Sequence, residues 1–116
     1  MNSQNNIAIA EAYYTAVAAK NISSVEQYLH NNIQLIGPFG KTAGKSAVTE
    51  AVKKFASLFE SLTIRTKVGS ENHVVIIYDV KFSEPIGNVR SASSMTFERG
   101  LIKNIELFFD ARPFVK

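Results

Sequence analysis

Four stretches between Leu62 and Phe109 alternate apolar and polar side chains with period two, and only a few turn-forming residues separate one from the next. In the first, Leu62, Ile64, Thr66 and Val68 alternate with Thr63, Arg65 and Lys67. In the second, His73 to Ser83, one face carries Ile76, Tyr78, Val80 and Phe82 and the other Ile77, Asp79 and Lys81. Successive side chains of a strand point to opposite sides, so each stretch predicts a strand with one buried face. Gly69-Ser70-Glu71-Asn72, Glu84 to Asn88 and Arg99-Gly100 make the connections, leading on to strands at Val89 to Glu98 and Leu101 to Phe109. Links this short cannot hold a parallel crossover, so the four strands must run as an antiparallel meander.

The residues ahead of the meander read as helices and one short strand. Ile7 to Ala19 has no breaker and is apolar nearly all round, which predicts a well-buried helix ending at Asn21. Ser23-Ser24-Val25-Glu26 fits a capping box and opens a second helix to about His30. Ile33 to Ile36 is a short strand, and Gly37, Pro38, Phe39, Gly40 and Gly44 form a turn-rich loop. Ser46 to Glu60 then sets Val48, Val52, Phe55 and Phe59 on one face of a third helix. The expected class is α+β, with three N-terminal helices packed on one face of a curled antiparallel sheet.

Composition narrows the function classes. A chain of 116 residues fits one domain, residues 1–116, and with 46% hydrophobic and 20% charged residues it has the make-up of a soluble globular protein. It has no cysteine, which excludes disulfides and thiolate metal sites. Met1-Asn2-Ser3-Gln4-Asn5-Asn6 lacks the basic start of a signal peptide, and no apolar run reaches the roughly 20 residues of a membrane span. A cytoplasmic location with no membrane partner is the expectation. The net charge of +3 is dispersed from Lys20 to Lys116, with Lys53-Lys54 the only adjacent basic pair, a pattern of solvated surface that argues against a nucleic-acid partner.

The whole chain resembles the nuclear transport factor 2-like superfamily, in particular the SnoaL-like polyketide cyclase and ketosteroid isomerase-related group. The residues that carry the likeness are the Gly37-Pro38-Phe39-Gly40 loop followed by Gly44 and a helix, the Gly100-Leu-Ile-Lys-Asn-Ile entry to the last strand, and the ending Phe108-Phe109-Asp110-Ala111-Arg112-Pro113-Phe114. The resemblance implies a cone-shaped sheet around one apolar pocket. In ketosteroid isomerase a tyrosine and a protonated aspartate form an oxyanion hole while a second aspartate moves the proton. By resemblance these roles fall at Tyr13, Ser93 and Gly37. Glycine takes no proton and serine is too weak an acid, so that chemistry is not expected. For limonene-epoxide hydrolase the carry-over falls at Leu107, Asp79 and Ile77, at best one of three required groups, and one carboxylate cannot both activate water and protonate an epoxide.

Other candidate residues have ordinary readings. Strand parity sets Asp79 on the face opposite Tyr78, within reach of Arg65, Lys67 or Arg90, unless a bulge turns it into the cone as a general base. Asp110 caps the strand end beside Arg112. His30, ending a helix, and His73, starting a strand, have no ligand partner at i+2 to i+4, so no metal is expected, and no cofactor. Gly44-Lys45-Ser46 lacks the earlier glycine of a phosphate loop, Phe39 standing in its place, and reads as a helix start. The expected pocket is formed by Tyr13, Val17, Gly37, Val52, Phe55, Tyr78, Ser93, Met95, Leu107 and Phe109, an apolar cavity with a few hydroxyls suited to a small apolar or aromatic ligand. Two alternatives stay open: an isomerase, cyclase or hydrolase using Tyr13 with Asp79 or a water, and an association domain whose pocket is filled by its own side chains. The outer sheet face mixes Val75, Ile77, Ala92 and Phe108 with Asp79, Lys81, Arg90 and Glu106, which suits a homodimer.

Overall fold

The sheet has six strands where the sequence pattern predicts five. The computed structural model describes residues 3–115; Met1, Asn2 and Lys116, which entered the readings of a leader and of dispersed charge, lie outside them. The helices are α1 (Ser3–Ala18), α2 (Ile22–Gln27) and α3 (Lys45–Ala56), and the strands are β1 (Leu29–Gly37), β2 (Gly40–Ala43), β3 (Phe59–Ser70), β4 (His73–Phe82), β5 (Asn88–Glu98) and β6 (Leu101–Phe109), followed by a 3₁₀ turn, Arg112–Phe114. The unpredicted strand is β2. It folds back on β1 through the two-residue turn Pro38-Phe39, with Gly37 paired to Gly40 at φ +144°, a conformation open to glycine. Four residues are too few for a period to show, which is why the stretch reads as loop.

The strand order is β2-β1-β6-β5-β4-β3, with the predicted meander intact and β6 running parallel to β1. That parallel pair is possible because helices and meander together supply the long crossover it needs. Register shifts in β3, after Phe59 and after Ile64, in the β5–β6 pair after Thr96, and between β1 and β6 bend the sheet, since an extra residue on one strand kinks it and raises its twist. The result is an α+β fold in which the curled sheet wraps three helices.

Local chemistry moves several boundaries. Asn21, rather than Ser23, caps α2: its side chain accepts from the Ser24 N–H at 3.3 Å, so the helix starts a residue or two before the expected capping box. The helix stops at Gln27 because Leu29 and His30 are recruited into β1, where the Ile102 N–H donates to the Tyr28 carbonyl at 2.8 Å. His30 is therefore a strand residue, bonded to Glu98 at 3.1 Å, and does not end a helix. α3 ends at Ala56, and Phe59 begins β3 with its ring 4.9 Å from Phe55. A short apolar run reads equally as helix or strand, and here pairing of Phe59 with Phe82 decides it. α1 is not buried all round: Ala10, Tyr13, Tyr14, Ala16 and Val17 are buried while Ala8 and Thr15 face solvent.

The core lies between the helices and the concave face of the sheet. Leu29, Ile33, Val48, Val74, Ile76, Met95, Ile102 and Ile105 are fully enclosed there. α1 lies over β3 and β4, and α3 over β1. Parity holds in β4, where Val74, Ile76, Tyr78, Val80 and Phe82 are buried and the residues between them face outward, but not through β3: the register shift after Ile64 breaks the expected Leu62-Ile64-Thr66-Val68 face, and Thr66 and Val68 are exposed. Among the described residues no helix is long and apolar enough to cross a membrane.

Candidate functional site

Core packing stops short at one end of the curled sheet and leaves a cavity of about 320 Å³. α1 contributes Tyr13, Tyr14 and Val17; α3 and the residues after it contribute Ala51, Val52, Phe55 and Leu58. The floor comes from alternate residues of three strands: Tyr78, Val80 and Phe82 of β4, Val89 and Ser91 of β5, Leu107 and Phe109 of β6. Leu35, Phe39 and Phe114 complete the wall, and Phe39 and Leu58, 64% and 68% exposed, show where it reaches solvent. Phenylalanines arc around this end. Ring centroids are 6.2 Å apart between Phe55 and Phe82, 5.1 Å between Phe82 and Phe114, 5.7 Å between Phe114 and Phe109, and 5.9 Å between Phe109 and Phe39.

Among the described residues no charged side chain lines the cavity. Its polar groups are the hydroxyls of Tyr13, Tyr14, Tyr78 and Ser91, and most are engaged. The Tyr14 hydroxyl meets Ser93 Oγ, Tyr78 reaches the same oxygen at 3.0 Å, and the two phenols lie 3.4 Å apart. Three hydroxyls within reach of one another can form a ring in which each donates once and accepts once. Ser91 turns to the Val89 carbonyl at 3.5 Å. Tyr13 differs: it is 3% exposed, packs edge-on against Tyr14 at 4.8 Å, and lines the cavity without joining that hydroxyl cluster. Burial raises the pKa of all three tyrosines, with Tyr78 adding to the effect on Tyr13 and Tyr14, so each stays a neutral hydroxyl at physiological pH.

Seven of the ten expected pocket residues stand on this wall: Tyr13, Val17, Val52, Phe55, Tyr78, Leu107 and Phe109. Three do not. Ser93 is fully buried behind Tyr14 and Tyr78, held by their hydroxyls; Met95 lies deeper in the core; Gly37 sits at the β1–β2 hairpin, on a shallow depression with Pro38, Glu106 and Phe108. The hydroxyl that meets the Ser93 position is that of Tyr14, one residue from Tyr13, because the helix turns Tyr14 toward β4 and β5. Asp79 is on the opposite side of the sheet from the cavity, bonded to Arg90 at 2.7 Å and Arg65 at 3.2 Å, and these guanidiniums hold its carboxyl below the usual range. Lys67 pairs with Glu11 instead. Asp79 therefore cannot serve as a base within the cone, and Ile77 faces outward with it.

The remaining candidates are surface groups. His73 bonds Ser94 on the outer side of the sheet. Asp110 clasps Arg112 at 2.6 Å, which holds its pKa at about 2. Among the described residues no three histidines or carboxylates gather as a metal site. Val80, Phe82 and Ser91 share the strand parity of Tyr78 and were within reach of sequence reasoning. Phe39 and Phe114, on a tight turn and a 3₁₀ turn, belong to no periodic pattern and gave no such signal.

A curled six-stranded sheet closed by three helices, with its opening at one end, is the cone seen in proteins of one superfamily, and the SnoaL-like domain matches residues 10–105. The chain belongs to the SnoaL-like family. Solved structures share its fold. A protein from Kribbella flavida superposes with a TM-score of 0.88 at 20% identity, over 93% of this chain and 88% of its own. An NTF2-like protein of unknown function from Cytophaga hutchinsonii gives 0.82 at 20% identity, over 93% and 92%. TerC, co-crystallised with polyporic acid, gives 0.81 at 17% identity, over 95% of each chain. No curated protein sequence matches this one. For this SnoaL-like domain the comparisons thus bear on fold, and its function has to be argued from its own cavity.

Proposed function

We propose that this SnoaL-like domain binds a small, uncharged, apolar or aromatic molecule in the cone, oriented by a hydrogen bond to Tyr13. The observation that carries the reading is the Tyr13 side chain, which stands on the wall of a mostly apolar cavity and takes no part in the hydroxyl cluster of Tyr14, Tyr78 and Ser93. A hydrogen bond from the Tyr13 hydroxyl to a ligand oxygen contributes roughly 0.5–1.5 kcal/mol net. With no charge among the described residues of the wall, a ligand carboxylate or ammonium would lose its hydration uncompensated there, so a neutral molecule is favoured. At roughly 30 Å³ per water the volume holds about ten waters, room enough for a ligand of one or two rings. This also speaks against a cone filled by its own side chains. TerC, a protein of the same fold solved with polyporic acid, adds support for a ligand-holding cone.

The test is a titration with 2-naphthol and with naphthalene, which differ by one hydroxyl. Tyr13→Phe should weaken 2-naphthol by roughly 0.5–1.5 kcal/mol and leave naphthalene and fold stability unchanged. Equal loss for both compounds, or no binding of either to the native protein, would sink the reading.

A further inference from the structure

We propose that the C-terminal turn, residues 110–115, is a hinged lid over the cavity, with Phe114 as its plug and the Asp110–Arg112 pair as the brace that keeps it preformed. The inference rests on the ligand-binding reading above.

Phe114 lies on the cavity wall and touches rings from three separate places: Phe82 at the end of β4, Phe109 at the end of β6 and Phe39 on the β1–β2 turn, with centroids 5.1, 5.7 and 6.5 Å away. It therefore sits beside the exposed rim that Phe39 marks. Yet the backbone that carries it is fastened to nothing else. Sheet pairing ends at Phe109, opposite Ser91. Beyond it, among the described residues, the backbone bonds only itself, Phe114 N–H to the Ala111 carbonyl at 3.0 Å and Val115 N–H to that of Arg112 at 3.2 Å.

The side-chain bonds of the turn are internal as well. Asp110 Oδ1 accepts from the Arg112 backbone N–H at 3.0 Å and from its Nε at 2.9 Å, and Oδ2 accepts from the guanidinium at 2.6 Å. Arg112 is 90% exposed and reaches no other element. Swinging the turn outward about Asp110 thus breaks no hydrogen bond to the rest of the described residues, and what it gives up is the packing of Phe114 against the core and its neighbouring rings. The other wall residues of the meander cannot do this, because their strands are bonded on both sides or covered. A braced unit on a free hinge, plugging an opening, is the arrangement that gates entry and exit, and such motions fall in the microsecond-to-millisecond range.

A gate governs rates more than affinity. Asp110→Ala removes the brace without substituting any side chain of the wall. In stopped-flow mixing with 2-naphthol, association and dissociation rate constants should both rise by about threefold or more, with Kd moving by less than about twofold. An unchanged association rate would make Phe114 a fixed wall and overturn the lid. Fluorine NMR of 4-fluorophenylalanine at position 114 supplies an arm that needs no ligand. A second, solvent-exposed environment is expected, more populated in Asp110→Ala; a single environment that the substitution does not move also overturns the proposal. If 2-naphthol binds neither protein, the binding reading fails while the fluorine spectra still judge the hinge.

Discussion

Ser93→Ala should destabilise the protein by about 2 kcal/mol. Ser93 is fully buried and hydrogen-bonded to both tyrosine hydroxyls, Tyr14 at short range and Tyr78 at 3.0 Å. Removing its oxygen deletes two hydrogen bonds, each worth roughly 0.5–1.5 kcal/mol net. The two phenols are left 3.4 Å apart, too far for more than a weak bond, although both border the cavity and can be rehydrated from it. Rehydration keeps the cost near the middle of the range instead of adding the full penalty of two orphaned hydroxyls. For a chain of this length the corresponding fall in Tm is about 8 °C. Urea unfolding followed by far-ultraviolet circular dichroism measures it, with Ser94→Ala on the outer face as a control expected within about 0.5 kcal/mol of the native protein. A double-mutant cycle with Tyr14→Phe should give a coupling of about 1 kcal/mol. Ser93→Ala within about 0.5 kcal/mol of the native protein, or full additivity with Tyr14→Phe, would refute the hydroxyl ring.

Three further outcomes follow from the same geometry. The protein should not isomerise a β,γ-unsaturated ketosteroid, because no carboxylate among the described residues lines the cavity, Asp79 lies across the sheet, and acid–base catalysis contributes roughly 10²–10⁴-fold; turnover above background in a dienone absorbance assay would contradict this. The Asp110 carboxyl should titrate near pH 2, well below the ordinary 3.8, since its hydrogen bonds from Arg112 favour the ionised form. A carboxyl whose pKa is lowered by folding stabilises the fold above the unfolded value, and that contribution fades as pH falls from about 4 to 2. Carbon NMR reads the midpoint, Arg112→Ala should restore it toward the ordinary value, and a native midpoint near 4 would remove the clasp. The outer sheet face, where Phe108 is 51% exposed beside Val75, Ile77 and Glu106, should pair with a second copy across a two-fold axis; light scattering that returns the monomer mass at micromolar concentration would end that expectation.

The meander was legible because its strands are long enough for period two to show, and its boundaries moved by only a few residues, although alternation could not foresee the register shift in β3 that leaves Thr66 and Val68 exposed. Where elements are short, local pattern carries too little. β2 is four residues long, and the end of α3 is decided by whether Phe59 finds Phe82 across the sheet, a contact more than twenty residues away in sequence. The inward face of β4 was fixed by alternation alone, which is why Tyr78 and Asp79 were assigned to the sides they occupy. The tyrosines of α1 were harder. Tyr13 and Tyr14 are one residue and about 100° apart on the helix, so deciding which of them meets Ser93 needs the roll of α1 on the sheet, and that is set by tertiary packing. Phe39 and Phe114 were out of reach for a different reason: each comes from a segment with no periodicity, and only the closed cone brings them to one rim.

A crystal structure of the protein grown with 2-naphthol tests the central claim most directly. The account predicts an open cone with the two-ring compound lying between Val52, Phe55 and Leu107, its oxygen within hydrogen-bond distance of the Tyr13 hydroxyl. A cone closed by its own side chains, or a probe found only outside the cavity, would contradict it.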